Sequence, residues 1–351
     1  MKPSLIQIAD HQIGPGVPCF FIAEAGVNHN GNVEMAHRLV DAAAEAGATA
    51  IKFQTFKAEH LVTPSAQKAD YQRQRAEKSE SQFEMLKDLE LDTEAYPALL
   101  AHCRDKGILF LSSPFDEESA DFLEDLGVPA FKTPSGEITN LKYLSYIARK
   151  GKPMIVSTGM SYLGEVEAAV RTIEGVGNYD LILLHTVSNY PADPTTINLK
   201  AMKTMSDAFG VLVGYSDHTV GMEIPWAAVA LGACVVEKHF TLDRNLPGPD
   251  HSASIEPAEL KRLVEGIRIV EKALGTGRKE PLESETDTAR AARKSLVSAS
   301  FIPAGTVITE DLVSIKRPGT GLPPGFLGYL VGCRTRMDIP ADTVLTLDML
   351  V

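Results

Sequence analysis

Phe20–Ala25 (FFIAEA), Ala50–Thr55 (AIKFQT) and Leu109–Ser113 (LFLSS) are short, largely apolar and aromatic runs whose polar residues gather toward the C-terminal half. Five more segments share this form: Ala130–Pro134, Met154–Thr158, Leu181–Val187, Val211–Ser216 and Val235–Phe240. Amphipathic helical patterns separate them, at Val33–Ala46, Thr93–Lys106, Glu117–Leu126, Leu141–Arg149, Leu163–Ile173, Leu199–Ala208 and Met222–Leu231, and a last one follows at Pro257–Leu274. Gly47, Gly107, Gly127, Gly151 and Gly232 close several of these helices, the residue that a left-handed C-terminal cap favours. Eight β-then-α units over about 250 residues predict a (β/α)8 barrel. An open doubly wound sheet is the alternative, but no G-x-G-x-x-G follows the first strand. Leu5–Ile13 reads as a hairpin closing the bottom of the barrel.

The helical period ends near Gly277. Arg278–Lys294 is polar and charged and reads as a linker. Beyond it, Ile302-Pro-Ala-Gly-Thr-Val-Ile-Thr-Glu-Asp-Leu returns as Ile339-Pro-Ala-Asp-Thr-Val-Leu-Thr-Leu-Asp-Met. Two related β-turn-β units predict a small turn-rich domain over 295–351, after a barrel over 1–277 and a linker over 278–294.

The 351 residues carry 34 basic against 46 acidic side chains, a formal charge of −12. An acidic surface argues against nucleic acid, whose phosphates need a basic footprint. No basic and apolar leader opens the sequence, and the longest nearly apolar run, Ile224–Val236, is too short to span a bilayer. Cys19, Cys103, Cys234 and Cys333 are scattered without a C-x-x-C pair, which fits free thiols in a reducing cytoplasm.

In a barrel of this kind the functional residues stand at the C-terminal ends of the strands. Here those ends supply Glu24, Lys52, Gln54, Ser112, Ser113, Lys132, Ser135, Glu137, Ser157, Ser188, Tyr190, Ser216, His218, Glu237 and His239. Because side chains alternate, Lys52 and Gln54, Ser216 and His218, and Glu237 and His239 each share a face. Two histidines ending adjacent strands suit a divalent ion such as Mn, Fe or Zn, whereas a lone strand histidine is more often a hydrogen-bonded core residue. Lys52 and Lys132 read either as ion-pair partners of Glu24 and Glu137 or as clamps for an anionic substrate, with Ser135, Ser157 and Ser216 as phosphate-sized donors. His29, His37, His60, His102 and His251 remain unassigned, with a surface position as the default for most.

The motifs Phe21-Ile-Ala-Glu-Ala-Gly-Val-Asn-His-Asn-Gly, Ile51-Lys-Phe-Gln-Thr, Phe131-Lys-Thr-Pro-Ser-Gly-Glu, Ser157-Thr-Gly-Met, Tyr215-Ser-Asp-His-Thr and Glu237-Lys-His-Phe-Thr resemble the sialic acid (nonulosonate) synthases. The likeness runs the whole chain. Its tail, with Lys316-Arg-Pro-Gly, resembles the antifreeze-like (SAF, β-clip) domain of that family. The resemblance implies condensation of phosphoenolpyruvate with an N-acetylated mannosamine-type sugar, with release of phosphate. It also implies a divalent metal, Mn2+ ahead of Mg2+ or Co2+, and a domain-swapped homodimer in the cytoplasm.

Carried over by position, the resemblance makes His218 and His239 metal ligands, and Glu24, Glu237, Lys52 and Lys132 catalytic. It makes Gln54, Ser113, Phe115, Ser135, Glu137, Ser157, Ser188, Tyr190, Ser216, Asp250 and Arg317 substrate-binding. Arg317 resembles the arginine that reaches into the partner's site. One departure is Ser188, where N-acetylmannosamine-using enzymes often carry asparagine. Together with the loop Val62–Glu84 it makes the chain look like the N,N'-diacetyllegionaminate branch, which uses 2,4-diacetamido-2,4,6-trideoxymannose. The alternatives are an N-acetylneuraminate synthase, a 3-deoxy-ulosonate-phosphate synthase, and a non-catalytic carbohydrate- or ice-binding protein. The last would leave a barrel mouth full of charges without a purpose.

Overall fold

A computed structural model describes residues 2–68 and 81–351. Within the polypeptide, Met1–Gly275 and Thr276–Val351 form two compact units. Residues 69–80, the middle of the loop Val62–Glu84, lie outside the described residues.

The first unit opens with a hairpin, β1 (Ile6–Ile8) and β2 (His11–Ile13), paired antiparallel. Eight strands follow: β3 (Phe20–Gly26), β4 (Ala50–Thr55), β5 (Leu109–Pro114), β6 (Phe131–Thr133), β7 (Met154–Ser157), β8 (Leu181–His185), β9 (Leu212–Asp217) and β10 (Val235–His239). All their pairings are parallel, in the order β5-β4-β3-β10-β9-β8-β7-β6. The last strand pairs with the first, Val235 opposite Phe20, and β5 packs beside β6. This is the circular order of a (β/α)8 barrel, and the expected strands all form.

The period-2 alternation sorts side chains into two cores. Phe21, Ile51, Phe53, Phe110, Val156, Leu183 and Val236 point outward against the helices. Phe20, Ile22, Ala50, Leu111, Ala130, Ile155, Ile182, Leu184 and Val235 fill the barrel, together with Ile6, Ile8 and Ile13 of the hairpin. The hairpin therefore closes the N-terminal end, as the sequence predicts. With the lower barrel packed by apolar residues, the polar inward positions are left at the C-terminal end.

The helices follow the predicted stretches closely. Asn32 caps Val33–Glu45 by accepting from the Met35 N–H, and Asp116 caps Glu117–Leu126 through the Ser119 N–H, each satisfying a donor that the first turn leaves open. Thr93–Lys106 divides into a 3-10 turn at Thr93–Ala95 and a helix at Tyr96–Asp105, with Pro97 in the first turn, where its missing N–H is tolerated.

In the second unit, β11 (Ser295–Ser298) pairs antiparallel with β12 (Val313–Lys316). The repeated segments meet directly: Ile302 and Ile339 exchange both backbone hydrogen bonds at 2.8 Å. Leu296, Ile302, Ile308, Leu322, Leu330, Ile339, Leu345 and Leu350 form the core. The stretch 278–294 carries a helix at Thr286–Ala292, and the Arg290 carbonyl accepts from the Gly319 N–H. All four cysteines are free. Among the described residues no helix is long and apolar enough to cross a membrane.

Candidate active site

Strand register sets the first contacts. Lys52 lies opposite Glu24 across β3 and β4, and Ser216 lies opposite Glu237 across β9 and β10. Lys52 Nζ accordingly meets Glu24 Oε2 at 2.5 Å, and Ser216 Oγ donates to Glu237 Oε1 at 3.0 Å. Lys52 also donates to Ser113 Oγ at 3.1 Å and stands 3.8 Å from Glu237 Oε2. Lys132 Nζ donates to Ser157 Oγ at 2.8 Å and lies 3.6 Å from Glu237 Oε1. The predicted Lys52–Glu24 pair is present. The partner of Lys132 is Glu237 and not Glu137, whose carboxylate turns back to accept from Asn140 Nδ2 at 2.7 Å. Gln54 Nε2 donates to Glu24 Oε1 at 3.3 Å.

Two lysines and two glutamates are thus buried together at the floor of the barrel mouth. Burial pushes Glu24 up to about 7 against the pull of Lys52, with Glu237 adding to the rise. Burial also acts upward on Glu237, but Lys132 and Lys52 outweigh it and hold that carboxyl below the usual range. For Lys52 burial acts downward, yet Glu237 and Glu24 hold it above the ordinary lysine value. Lys132 is held below that value by burial. Buried charges are costly unless compensated. Here the compensation is mutual, and an anion entering the cavity would face both lysines.

Above this floor stand the two histidines. His218 Nδ1 donates to the Val187 carbonyl at 2.7 Å, which fixes the tautomer and leaves Nε2 with a free lone pair. Burial keeps His218 below the ordinary imidazole value. Burial, then His218 and Lys52, push His239 well below it. The ring centroids lie 5.3 Å apart. Tyr190 packs on both, 4.1 Å from His218 and 5.6 Å from His239. Among the described residues His239 Nδ1 has no hydrogen-bond partner, with Asp250 Oδ2 at 3.8 Å. Two neutral imidazoles, one with an orphaned nitrogen, suit a divalent cation.

Asp250, pushed up to about 6 by burial against Lys52, is held by a polar clamp. Ser254 Oγ donates to its carbonyl at 2.7 Å, and Asn28 Nδ2 donates to Ser254 Oγ at 2.9 Å and to the Phe240 carbonyl at 2.8 Å. Asn30 Oδ1 accepts from His251 Nε2 at 3.1 Å. His29 and His251 are fully buried, contrary to the surface default: His251 ties the loops after β3 and β10 together through Asn30, and His29 accepts from the Gly31 N–H of its own loop. His60 is exposed, and His37 and His102 are half-buried. His60, Asp116 and Glu118 come close enough to offer a cation three ligand atoms, but Asp116 is already committed to its helix cap.

A cavity of about 490 Å³ collects Glu24, Lys52, Gln54, Ser113, Phe115, Lys132, Ser135, Ser157, Ser188, Tyr190, Ser216, His218, Glu237, His239 and Asp250. Glu137 does not line it. Ser112 faces outward, with its hydroxyl 2.7 Å from Thr55 Oγ1. Arg317 is exposed at the end of β12. Sequence reasoning missed Gly159 as a site residue, although it falls inside the quoted Ser157-Thr-Gly-Met motif. Its N–H donates to Ser135 Oγ at 3.0 Å, and a Cβ there would stand 2.3 Å from Ser188 Oγ. It named Phe115 but missed Leu61 and Leu86, which line the same cavity.

A (β/α)8 barrel with a cationic, serine-rich floor below two neutral imidazoles defines a class of enzymes acting on small anionic substrates. The chain belongs to the NeuB family, which residues 39–279 match, and residues 293–351 match the SAF domain. It is 48% identical over 337 residues to the N,N'-diacetyllegionaminic acid synthase of Legionella pneumophila, covering 95% of this chain and 94% of that one. It is 50% identical over 303 residues to the enzyme of the same name from Campylobacter jejuni, covering 86% and 91%. The solved N-acetylneuraminic acid synthetase of Leptospira borgpetersenii, in complex with citrate, matches with a TM-score of 0.73 at 36% identity, covering 82% of this chain and 95% of that one.

Proposed function

We propose that this protein is an N,N'-diacetyllegionaminate synthase. It condenses phosphoenolpyruvate with open-chain 2,4-diacetamido-2,4,6-trideoxymannose and water, giving the nonulosonate and phosphate. The reading rests on one observation above others: Lys52 and Lys132, each hydrogen-bonded to a serine, share a cavity with two neutral imidazoles. The lysines and Ser113, Ser135, Ser157 and Ser216 would hold the carboxylate and phosphate of phosphoenolpyruvate by charge-assisted hydrogen bonds. His218 Nε2 and His239 would hold a divalent cation, Mn2+ ahead of Mg2+ or Co2+, which supplies Lewis-acid polarisation of the aldehyde oxygen when bound.

In the reaction C3 of phosphoenolpyruvate bonds to the aldehyde carbon, and the aldehyde oxygen takes a proton. A water oxygen adds to the electron-deficient C2. The C2–O bond to phosphorus then breaks, phosphate leaves with the bridging oxygen, and C2 becomes the ketone. Glu24, pushed up to about 7, can hold a proton near neutral pH and pass it on. Glu237, held ionised by the lysines, stabilises the positive charge that develops at C2. Gln54, Ser188, Tyr190 and Asp250 would orient the acceptor, so catalysis is largely positioning and electrostatics.

The family resemblance supports a cytoplasmic, domain-swapped homodimer in which Arg317 binds the acceptor's acetamido group and Glu137 acts near the acceptor. The test is phosphate release from phosphoenolpyruvate with Mn2+. Release that depends on the trideoxy diacetamido sugar, and is weak with N-acetylmannosamine, is expected. Release with neither amino sugar would end the proposal.

A further inference from the structure

The cavity has two unlike sides. Ser135, Ser157, Ser188, Ser216 and the imidazoles come from the ends of β6 to β10, while Leu61, Val62, Leu86 and Phe115 line the same space from the segments that follow β4 and β5. These four are half-buried and so present apolar surface to the cavity. Leu61, Leu86 and Phe115 pack against an apolar cluster of Val27, Phe56, Met85 and Leu89, of which Val27, Met85 and Leu89 also reach the cavity. The wall is built, not incidental. Phe56 meets Phe115 edge to face at 5.9 Å, and Ser81 and Glu84 close a capping box that starts the helix Gln82–Asp88 carrying Leu86. Lys87 ties that helix to Glu59 of Ala58–Leu61 at 2.8 Å.

We propose that Leu61, Leu86 and Phe115 are specificity-determining residues that receive the methyl end of a 6-deoxy acceptor and discriminate against its 6-hydroxy analogue. This rests on the reading that the cavity takes an amino-sugar acceptor. The aldehyde carbon must meet phosphoenolpyruvate near the lysine floor, so the far end of the acceptor extends toward the segments above the strand ends. A methyl group there gains apolar contact. A hydroxyl there loses its water and finds no polar atom on Leu61, Leu86 or Phe115 in return, although Gln82, on the helix of Leu86, also lines the cavity. An apolar pocket rejects an added hydroxyl only moderately, by about 100-fold. The preference therefore falls within about 10- to 100-fold in kcat/KM and resides mainly in the acceptor KM.

The test compares two acceptors that differ only at C6, 2,4-diacetamido-2,4,6-trideoxymannose and 2,4-diacetamido-2,4-dideoxymannose, with the full-length wild type and with Leu86→Asn and Leu61→Asn. Two variants on different helices guard against one that fails to fold. The wild type is expected to prefer the 6-deoxy sugar. Each folded variant is expected to narrow that preference about tenfold while keeping the KM for phosphoenolpyruvate. Equal use of both sugars by the wild type, or an unchanged ratio in the active variants, would overturn the proposal. Turnover of neither sugar by the wild type would overturn the synthase reading itself, and the wall's role with it.

Discussion

Lys52 Nζ lies 2.5 Å from Glu24 Oε2, with both side chains almost completely buried at the floor of the barrel mouth. The contact joins residues directly opposite each other on β3 and β4. The ion pair is thus a consequence of strand register, and a change to either residue acts on both the site and the fold.

Lys52→Met leaves Glu24 and Glu237 facing each other without their shared cation. Phosphate release should fall about a thousandfold or more, since a buried charge aimed at the substrate's anionic groups is lost. Removing one partner of a buried pair destabilises by about 3–5 kcal/mol. The lower end is expected here, because Glu24 can take up a proton. Steady-state kinetics and urea unfolding check the two effects separately.

Gly159→Ala should spare the fold and damage the site. Its Cβ would stand 2.3 Å from Ser188 Oγ, 2.8 Å from Ser135 Oγ and 3.0 Å from the Thr186 methyl; the two hydroxyls can rotate away, and the methyl needs to shift by only a few tenths of an ångström. A displacement of this size in binding groups costs about 10- to 100-fold. It should appear in the kinetics with only a small change in melting temperature.

His218→Ala removes one of the two imidazoles. Turnover that depends on added Mn2+ should be abolished while the protein remains folded by circular dichroism, and metal content after dialysis should drop. Full metal-stimulated activity in this variant would end the ligand assignment.

His29 predicts a pH dependence of stability. Its Nδ1 accepts from the Gly31 N–H at 3.0 Å, and burial, then His251, push its pKa down to about 4. The unfolded chain binds a proton near 6.5 and the native state does not until about 4. Stability from this residue is therefore complete above pH 6.5 and declines as pH falls from about 6.5 to about 4, by about 3 kcal/mol in all. His251, also pushed down to about 4 by burial, acts in the same direction. Urea unfolding between pH 4.5 and 7.5 should show this slope, and it should be shallower in His29→Asn.

Much of the architecture was legible because a closed parallel barrel imposes one simple rule. Inward positions such as Ile22 and Ala50 are apolar low in the barrel, and the next inward positions, Glu24 and Lys52, become polar at the C-terminal end. The paired positions Ser216/His218 and Glu237/His239 could be read from alternation alone. What alternation cannot give is distance between strands far apart in sequence. Lys132 pairs with Glu237 across the barrel, while Glu137, five residues away, bonds Asn140 in its own turn. His29 and His251 resemble surface loop residues until Asn30, Thr241 and Gly31 are seen to engage their nitrogens. The apolar wall was legible only in part: Phe115 and the loop Val62–Glu84 stood out in the sequence, but Leu61 and Leu86 did not, because only the fold brings them to the cavity.

The most direct measurement of the central claim uses phosphoenolpyruvate carrying 18O in the bridge between C2 and phosphorus. With Mn2+ and the trideoxy diacetamido acceptor, C–O cleavage predicts that the label leaves in the phosphate and that no phosphate forms without acceptor. Unlabelled phosphate would contradict C–O cleavage, and phosphate released without acceptor would contradict a carbon–carbon condensation at this site.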